Sequence, residues 1–105
     1  MYEYKARVVR VVDGDTVVLD IDLGLHVSLK QQHCRLLGID APERYSDEGK
    51  RAKKHLESII GDEIIIKTDL DKLGSFHRIL VTLFKSGVNL NQQMVATGNA
   101  KVRHE

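Results

Sequence analysis

The chain has 105 residues, of which 42% are hydrophobic and 30% charged, a composition that excludes a disordered segment and predicts one domain over residues 1–105. Sixteen basic and fifteen acidic residues give a formal charge of +1, so any affinity for a polyanion must come from local clusters. The single cysteine excludes an internal disulfide and a zinc framework built on several cysteines.

Three antiparallel strands are predicted in the amino-terminal part of the chain. Residues 5–12 and 16–22 are rich in valine and alternate apolar with polar side chains, and Asp13-Gly14-Asp15 between them predicts a hairpin. Residues 27–39 are predicted to form the third strand, which would be longer than an ordinary strand. We therefore expect a bend or bulge in that strand near Gln31-Gln32.

The hydrophobic period changes to that of a helix after residue 45. Ser46 is a suitable N-cap, Gly61 is placed to end the helix, and acidic residues occupy the first turn. The predicted buried face of this helix consists of Ala52, Leu56, Ile59 and Ile60.

The remaining residues predict two more strands and a second helix. Residues 63–68 and 78–84 are apolar, β-branched runs, and residues 89–97 form a short helix that Asn89 caps and Gly98 follows. Residues 100–102 could add a last short strand.

This order of elements predicts a mainly β protein of the α+β class. Five strands, with one helix between the third and fourth and a short carboxy-terminal helix, suit a five-stranded OB-fold barrel. An open α+β sheet is the alternative.

Charged side chains concentrate at the predicted strand ends. The stretch Arg35-Leu36-Leu37-Gly38-Ile39-Asp40-Ala41-Pro42-Glu43 places one cation and two carboxylates after a buried run. A buried arginine such as Arg35 usually has an anionic partner. The acidic residues also have simpler explanations. Asp13 and Asp15 are common turn residues, and Pro42-Glu43 could simply connect the strand to the helix.

Four motifs, in this order, resemble the staphylococcal nuclease (thermonuclease) family. They are Val11-Val12-Asp13-Gly14-Asp15-Thr16, the stretch from Arg35 to Glu43, Arg78-Ile79-Leu80-Val81, and the segment from Asn91 to Val102 with Gly98 and Ala100-Lys101-Val102. The resemblance extends over residues 6–102. The family has an OB-fold barrel, in agreement with the strand order.

The resemblance implies a calcium-dependent endonuclease, a hydrolase that cleaves phosphodiester bonds of DNA and RNA with little sequence specificity. Such cleavage leaves 5′-hydroxyl and 3′-phosphate ends. By motif position, Ca²⁺ would be bound by the carboxylates of Asp15 and Asp40 and the backbone carbonyl of Ala41, where many members have threonine. Asp13 would lie next to these ligands.

The resemblance also implies roles for three further residues. Glu43 matches the residue that orients or deprotonates the attacking water, while Arg35 and Arg78 match the two arginines that bind the scissile phosphate. Other basic residues could contact nucleic acid without sequence preference. These candidates are Lys50, Lys53, Lys72 and Arg103.

Two other functions stay open. A catalytically inactive OB-fold module could bind single-stranded nucleic acid or protein, and a structural or interaction domain is the third hypothesis. The joint presence of five residues favours the enzyme, since a binding module needs no such set. These residues are Asp15, Arg35, Asp40, Glu43 and Arg78. The few aromatic residues disfavour a base-stacking surface.

The expected setting is a cytoplasmic monomer. No apolar run is long enough for a membrane span, and the first residues lack the basic-then-apolar form of a signal peptide. We therefore expect no membrane contact, although a processed secreted protein would show the same features.

Overall fold

The computed structural model describes residues 2–70 and 79–104. In this part of the chain the elements are β1 (Tyr2–Asp13), β2 (Thr16–Gly24), β3 (Val27–Leu36), β4 (Ile39–Asp40), α1 (Asp47–Ile60), β5 (Glu63–Leu70), β6 (Ile79–Lys85), β7 (Val88–Asn89), α2 (Leu90–Ala96) and β8 (Lys101–Val102). No helix among these residues is long and apolar enough to cross a membrane.

The first three strands form an antiparallel meander, as predicted. The irregularity expected in β3 lies at Gln31, whose φ is 56° and whose backbone N–H donates to Asp20 Oδ1 at 2.8 Å. Because Leu19 is opposite Gln32 while Ile21 is opposite Leu29, β3 has one residue more than β2 at this point. This bulge lets a long strand bend while its apolar side chains still reach the core.

Five long strands close into a ring. β1 pairs antiparallel with both β2 and β5, and β5 pairs antiparallel with β6. The ring closes where β3 pairs in parallel with β6, with Cys34 opposite Ile79 and Arg35 opposite Leu80. This closure confirms the OB-type arrangement over the open sheet. It also places the carboxy-terminal end of β3 beside the start of β6.

The first helix is positioned by its cap and by its apolar face. Ser46 Oγ accepts a hydrogen bond from Gly49 N at 3.0 Å, and α1 ends at Gly61, both as predicted. Ala52, Leu56 and Ile60 are buried in the core inside the ring, whereas Ile59 is only partly buried.

The third strand is shorter than the sequence predicted. A continuous strand over residues 27–39 was expected, but β3 ends at Leu36 because Gly38 has a φ of +79° and turns the chain. Ile39 and Asp40 then form β4, which pairs with β8 rather than with the ring. Asp40 therefore lies on a separate two-stranded sheet, beside the end of β3.

Candidate functional site

Arg35, at the end of β3, is the centre of the candidate site. It is only 7% exposed, and its guanidinium contacts two carboxylates: Nη1 lies 3.1 Å from Asp15 Oδ2, and Nη2 donates to Asp40 Oδ1. Nη2 also donates to the backbone carbonyl of Ile39 at 3.0 Å. The buried arginine thus has the anionic partners that its position in the sequence predicted.

The guanidinium remains charged despite its surroundings. Burial alone would lower the pKa of Arg35, but the charges and hydrogen bonds of Asp15 and Asp40 raise it above the ordinary value. Arg35 therefore holds two carboxylates together while it carries a full positive charge.

Asp15 is fixed by hydrogen bonds from three neighbouring segments. Its Oδ2 accepts from Ala41 N at 2.9 Å, its Oδ1 accepts from Thr16 Oγ1 at 3.0 Å, and its backbone carbonyl accepts from Leu36 N at 2.8 Å. Burial would raise the pKa of Asp15, but the side-chain hydrogen bond with Asp13, the hydrogen bond from Ala41 N and the charge of Arg35 lower it. Asp15 is therefore held as a carboxylate.

Asp13 supports Asp15 from inside the hairpin turn. Its Oδ1 accepts a hydrogen bond from Asp15 N at 3.0 Å. Burial, followed by the side-chain hydrogen bond with Asp15 and the negative charge of Asp15, raises the pKa of Asp13 above its ordinary value, although the hydrogen bond from Asp15 N lowers it. Asp13 therefore contacts Asp15, one of the metal-ligand candidates.

Gly14 allows the first hairpin to reach the other two segments. A Cβ at this position would lie 2.7 Å from Ala41 Cβ and 2.8 Å from Ala52 Cβ, closer than real contacts allow. The glycine is therefore needed because β4 and α1 pack directly against the turn. This packing brings Asp15 to the segment that carries Asp40 and Ala41.

Glu43 lies in the turn between β4 and α1. Its backbone carbonyl accepts hydrogen bonds from Ser46 N at 3.1 Å and Ser46 Oγ at 2.6 Å. A Cβ at Gly49 would overlap this carbonyl, so the glycine permits the approach of the helix. The side chain of Glu43 is exposed, and its Oε2 accepts from Tyr45 N at 3.1 Å. The backbone is fixed, while the carboxylate faces solvent.

The oxygen atoms near Arg35 fit a hard divalent cation. Asp15 and Asp40 share one guanidinium, and Ala41 directly follows Asp40, so two carboxylates and a carbonyl come from adjoining segments. Ca²⁺ and Mg²⁺ prefer such oxygen ligands and complete their coordination with water or substrate. Within residues 2–70 and 79–104, no three His, Cys, Asp or Glu side chains are grouped closely enough to hold a metal ion.

A cleft of about 670 Å³ opens beside Asp40 and Glu43. Arg51 of α1 and Lys101 of β8 contribute positive charge to its wall. Its volume is in the range of ordinary ligand sites. A substrate that reaches Asp40 therefore has room beside it.

Most of the chain matches one known protein family. Residues 33–105 match the family described as staphylococcal nuclease homologue. The chain belongs to the staphylococcal nuclease family.

Three relatives show how far the similarity extends. Endonuclease YhcR of Bacillus subtilis is 34% identical over 112 residues, which is 93% of this chain but 9% of the relative. An uncharacterized endonuclease of Escherichia coli is 37% identical over 98 residues, 91% of this chain and 59% of the relative. Thermonuclease of Staphylococcus hyicus is 27% identical over 111 residues, 96% of this chain and 60% of the relative. The chain thus spans less than two thirds of each.

The structure brings together only some of the residues predicted for a staphylococcal nuclease site. Asp13, Asp15, Arg35, Asp40 and Ala41 form one hydrogen-bonded group, and Glu43 lies on the adjoining turn. Arg78 and Lys72 lie outside the described residues, and Arg78 directly precedes Ile79, the first residue of β6.

The remaining nucleic-acid contact candidates differ from one another. Lys50 is exposed and Lys53 half-buried on α1, and neither contacts Asp15 or Arg35 in the described part of the chain. Arg103, by contrast, extends its Nη1 to Asp40 Oδ1 at 3.3 Å. The sequence named Arg103 as a surface contact and did not predict this ion pair.

Asn91 is a structural residue of the site that the sequence reasoning missed. It is only 3% exposed, and its Oδ1 accepts from Leu83 N at 3.0 Å. Its Nδ2 donates to Leu37 O at 3.0 Å and to Val81 O at 2.9 Å. One side chain thus ties α2 to β6 and to the turn before Asp40. In the sequence, the signal for this role was a polar residue near the start of a short helix.

Replacing Asn91 with alanine is expected to reduce the free energy of unfolding by about 2–4 kcal/mol, because Leu83 N and two carbonyls lose buried hydrogen bonds. Urea unfolding at neutral pH measures the change. The exposed Gln92 provides a matched control, since Gln92→Ala removes an amide from the same helix and is expected to change stability by less than about 0.5 kcal/mol. A loss below about 1 kcal/mol for Asn91→Ala would show that its hydrogen bonds add little.

Proposed function

We propose that this chain is a calcium-dependent nuclease that hydrolyses phosphodiester bonds of DNA and RNA with little sequence specificity. The observation that carries the proposal is the buried, charged Arg35 held against Asp15 and Asp40 at the edge of the ring, with Glu43 on the adjoining turn. The names of the relatives, two endonucleases and a thermonuclease, support nucleic acid as the substrate.

Asp15, Asp40 and the carbonyl of Ala41 would hold the cation. When bound, Ca²⁺ supplies positive charge that polarises a phosphoryl oxygen and orients the substrate. Because this protein provides few carboxylates for it, the substrate phosphate is expected to complete the coordination and to raise the affinity.

Arg35 stabilises the charge that develops on the phosphate. A phosphodiester is already anionic, and attack at phosphorus adds negative charge to its oxygens. The planar guanidinium can donate to two of these oxygens at once, which lysine cannot do. Arg78 is the second arginine in this proposal.

Glu43 accepts a proton from the attacking water. The water oxygen forms the new bond to phosphorus, the bond from phosphorus to O5′ breaks, and O5′ takes up a proton from solvent. The products are a 5′-hydroxyl and a 3′-phosphate. The exposed carboxylate of Glu43, on a fixed backbone beside an open cleft, is accessible to water and to substrate.

Removal of Ca²⁺ tests this function. We expect the purified protein to cleave single-stranded DNA and RNA oligonucleotides of matched sequence at several positions in Ca²⁺. We also expect cleavage to fall at least about 100-fold with a chelator, since the cation is a transition-state contact. Electrophoresis of end-labelled substrate measures the rate, and direct labelling of products by polynucleotide kinase reports 5′-hydroxyl ends. Undiminished cleavage in chelator would contradict the calcium requirement.

An inactive binding module is the second candidate. It is favoured by the burial of Arg35, whose guanidinium already contacts Asp15, Asp40 and the carbonyl of Ile39. The same experiment separates the two functions. Oligonucleotide binding without cleavage in Ca²⁺ would establish the module and overturn the nuclease.

A further inference from the structure

Asp40 is shared by two arginines that differ in burial. Its Oδ1 accepts from Arg35 Nη2 and lies 3.3 Å from Arg103 Nη1. Arg35 is buried and also contacts Asp15 and Ile39, so it cannot leave without losing several contacts. The side chain of Arg103 is 45% exposed, and within the described residues its one ion pair is with Asp40. Arg103 is the partner that can move.

We propose that Arg103 neutralises Asp40 when no cation is bound, and that a cation on Asp40 releases its guanidinium to bind a substrate phosphate. This inference rests on the proposed function, because it assigns Asp40 to the cation and a polynucleotide to the site. Without a cation, Arg103 is a positioning residue for Asp40. With a cation bound, Arg103 contacts a substrate phosphate.

Electrostatic repulsion favours the exchange of Arg103 for a cation at Asp40. A divalent cation on Asp40 and the Arg103 guanidinium are like charges that compete for one carboxylate, and they repel each other at short range. Because an exposed ion pair is weak, a cation can replace Arg103 at little cost. The buried contact with Arg35 is retained throughout.

The backbone keeps the released side chain beside the site. Arg103 N donates to Gly38 O at 2.8 Å, and the preceding strand β8 pairs with β4, with Lys101 opposite Asp40. The Cα atom of Arg103 therefore stays next to Asp40 when the guanidinium moves. A free guanidinium at this distance can bind a phosphate of the strand held at Arg35.

Arg103→Ala tests the inference without any measurement of hydrolysis. We expect calorimetry without nucleic acid to show Ca²⁺ binding about two- to fivefold tighter than in the unaltered protein, the factor that corresponds to an exposed ion pair. Lys54→Ala is the control, since it removes an equal charge at an exposed residue of α1 that does not line the cleft and makes no ion pair in the described part of the chain. Unchanged or weaker Ca²⁺ binding by Arg103→Ala, or equal tightening by Lys54→Ala, would overturn the proposal.

The second half of the inference concerns nucleic acid. In a Glu43→Gln background that slows cleavage, Arg103→Ala is expected to weaken binding of a single-stranded oligonucleotide in Ca²⁺ but not in chelator. In Ca²⁺ the slope of log Kd against log salt should fall by about 0.7, the value for one lost phosphate contact. Equal weakening in both conditions would show that Arg103 is a simple surface contact and is not released by the cation.

The experiments distinguish a failure of the role proposed for Arg103 from a failure of the proposed nuclease function. A protein that cleaves nucleic acid but shows no effect of Arg103→Ala on Ca²⁺ affinity would refute only the role of Arg103. A protein that shows the expected effects on binding but no hydrolysis would refute only the nuclease.

Discussion

Glu43→Gln is expected to lower the rate of phosphodiester hydrolysis by roughly 10²–10³-fold, within the range that general bases contribute. Glutamine has the same shape and can still accept the hydrogen bond from Tyr45 N, but its amide cannot take a proton from water. Because the side chain is exposed, the fold should be unaffected. Initial rates on a single-stranded oligonucleotide in saturating Ca²⁺ measure the effect.

Glu48→Gln is the matched control for this substitution. Glu48 is exposed on the first turn of α1 and lines the same cleft, so its replacement removes an equal charge nearby. We expect its rate to stay within about twofold of the unaltered protein, since a surface charge change has a small effect. If Glu43→Gln is no slower than Glu48→Gln, Glu43 is not the base.

Arg35→Met is expected to abolish detectable hydrolysis and to reduce the free energy of unfolding by about 3–5 kcal/mol, because it leaves the buried Asp15 without its cation. Methionine fills much of the volume of the arginine stem, so the loss is mainly electrostatic. Urea unfolding at neutral pH, together with the rate in Ca²⁺, measures the two effects. A loss below about 1 kcal/mol would show that Asp15 does not depend on Arg35.

Arg35→Lys separates catalysis from folding. Lysine keeps the positive charge but cannot donate a planar pair of hydrogen bonds. We expect most of the stability to remain while the rate falls roughly 10²–10³-fold, as for other lost transition-state contacts. Full activity in Arg35→Lys would mean that charge alone is sufficient at this position.

The order of elements could be predicted from the sequence because each local signal acts over a few residues. Asp13-Gly14 indicated the hairpin, Ser46 and Gly61 bounded α1, and Asn89 capped α2. The break in β3 escaped prediction since Leu37 and Ile39 are as apolar as strand residues. Only the left-handed backbone of Gly38 and the pairing of β4 with β8 show that the strand has ended.

The candidate site, too, could be predicted only in part from the sequence. The sequence placed Asp15, Arg35 and Asp40 at element ends, and the resemblance to the staphylococcal nuclease family connected them. It could not predict that Asn91 holds the turn before Asp40, since that contact spans 54 residues between its amide and Leu37. The role of Asn91 follows only from the packing of α2 against the ring.

By itself, the sequence determined the strand and helix order and the residue types at the mouth of the ring, because periodicity, capping and turn preferences are local. The tertiary structure decided the partners of those residues. It placed Asp15 and Asp40 on one guanidinium, pressed Gly14 against Ala41 and Ala52, and set Arg103 on Asp40. Apart from the contact of Arg35 with Asp40, these contacts join residues far apart in the chain, and ring closure and packing fix their distances.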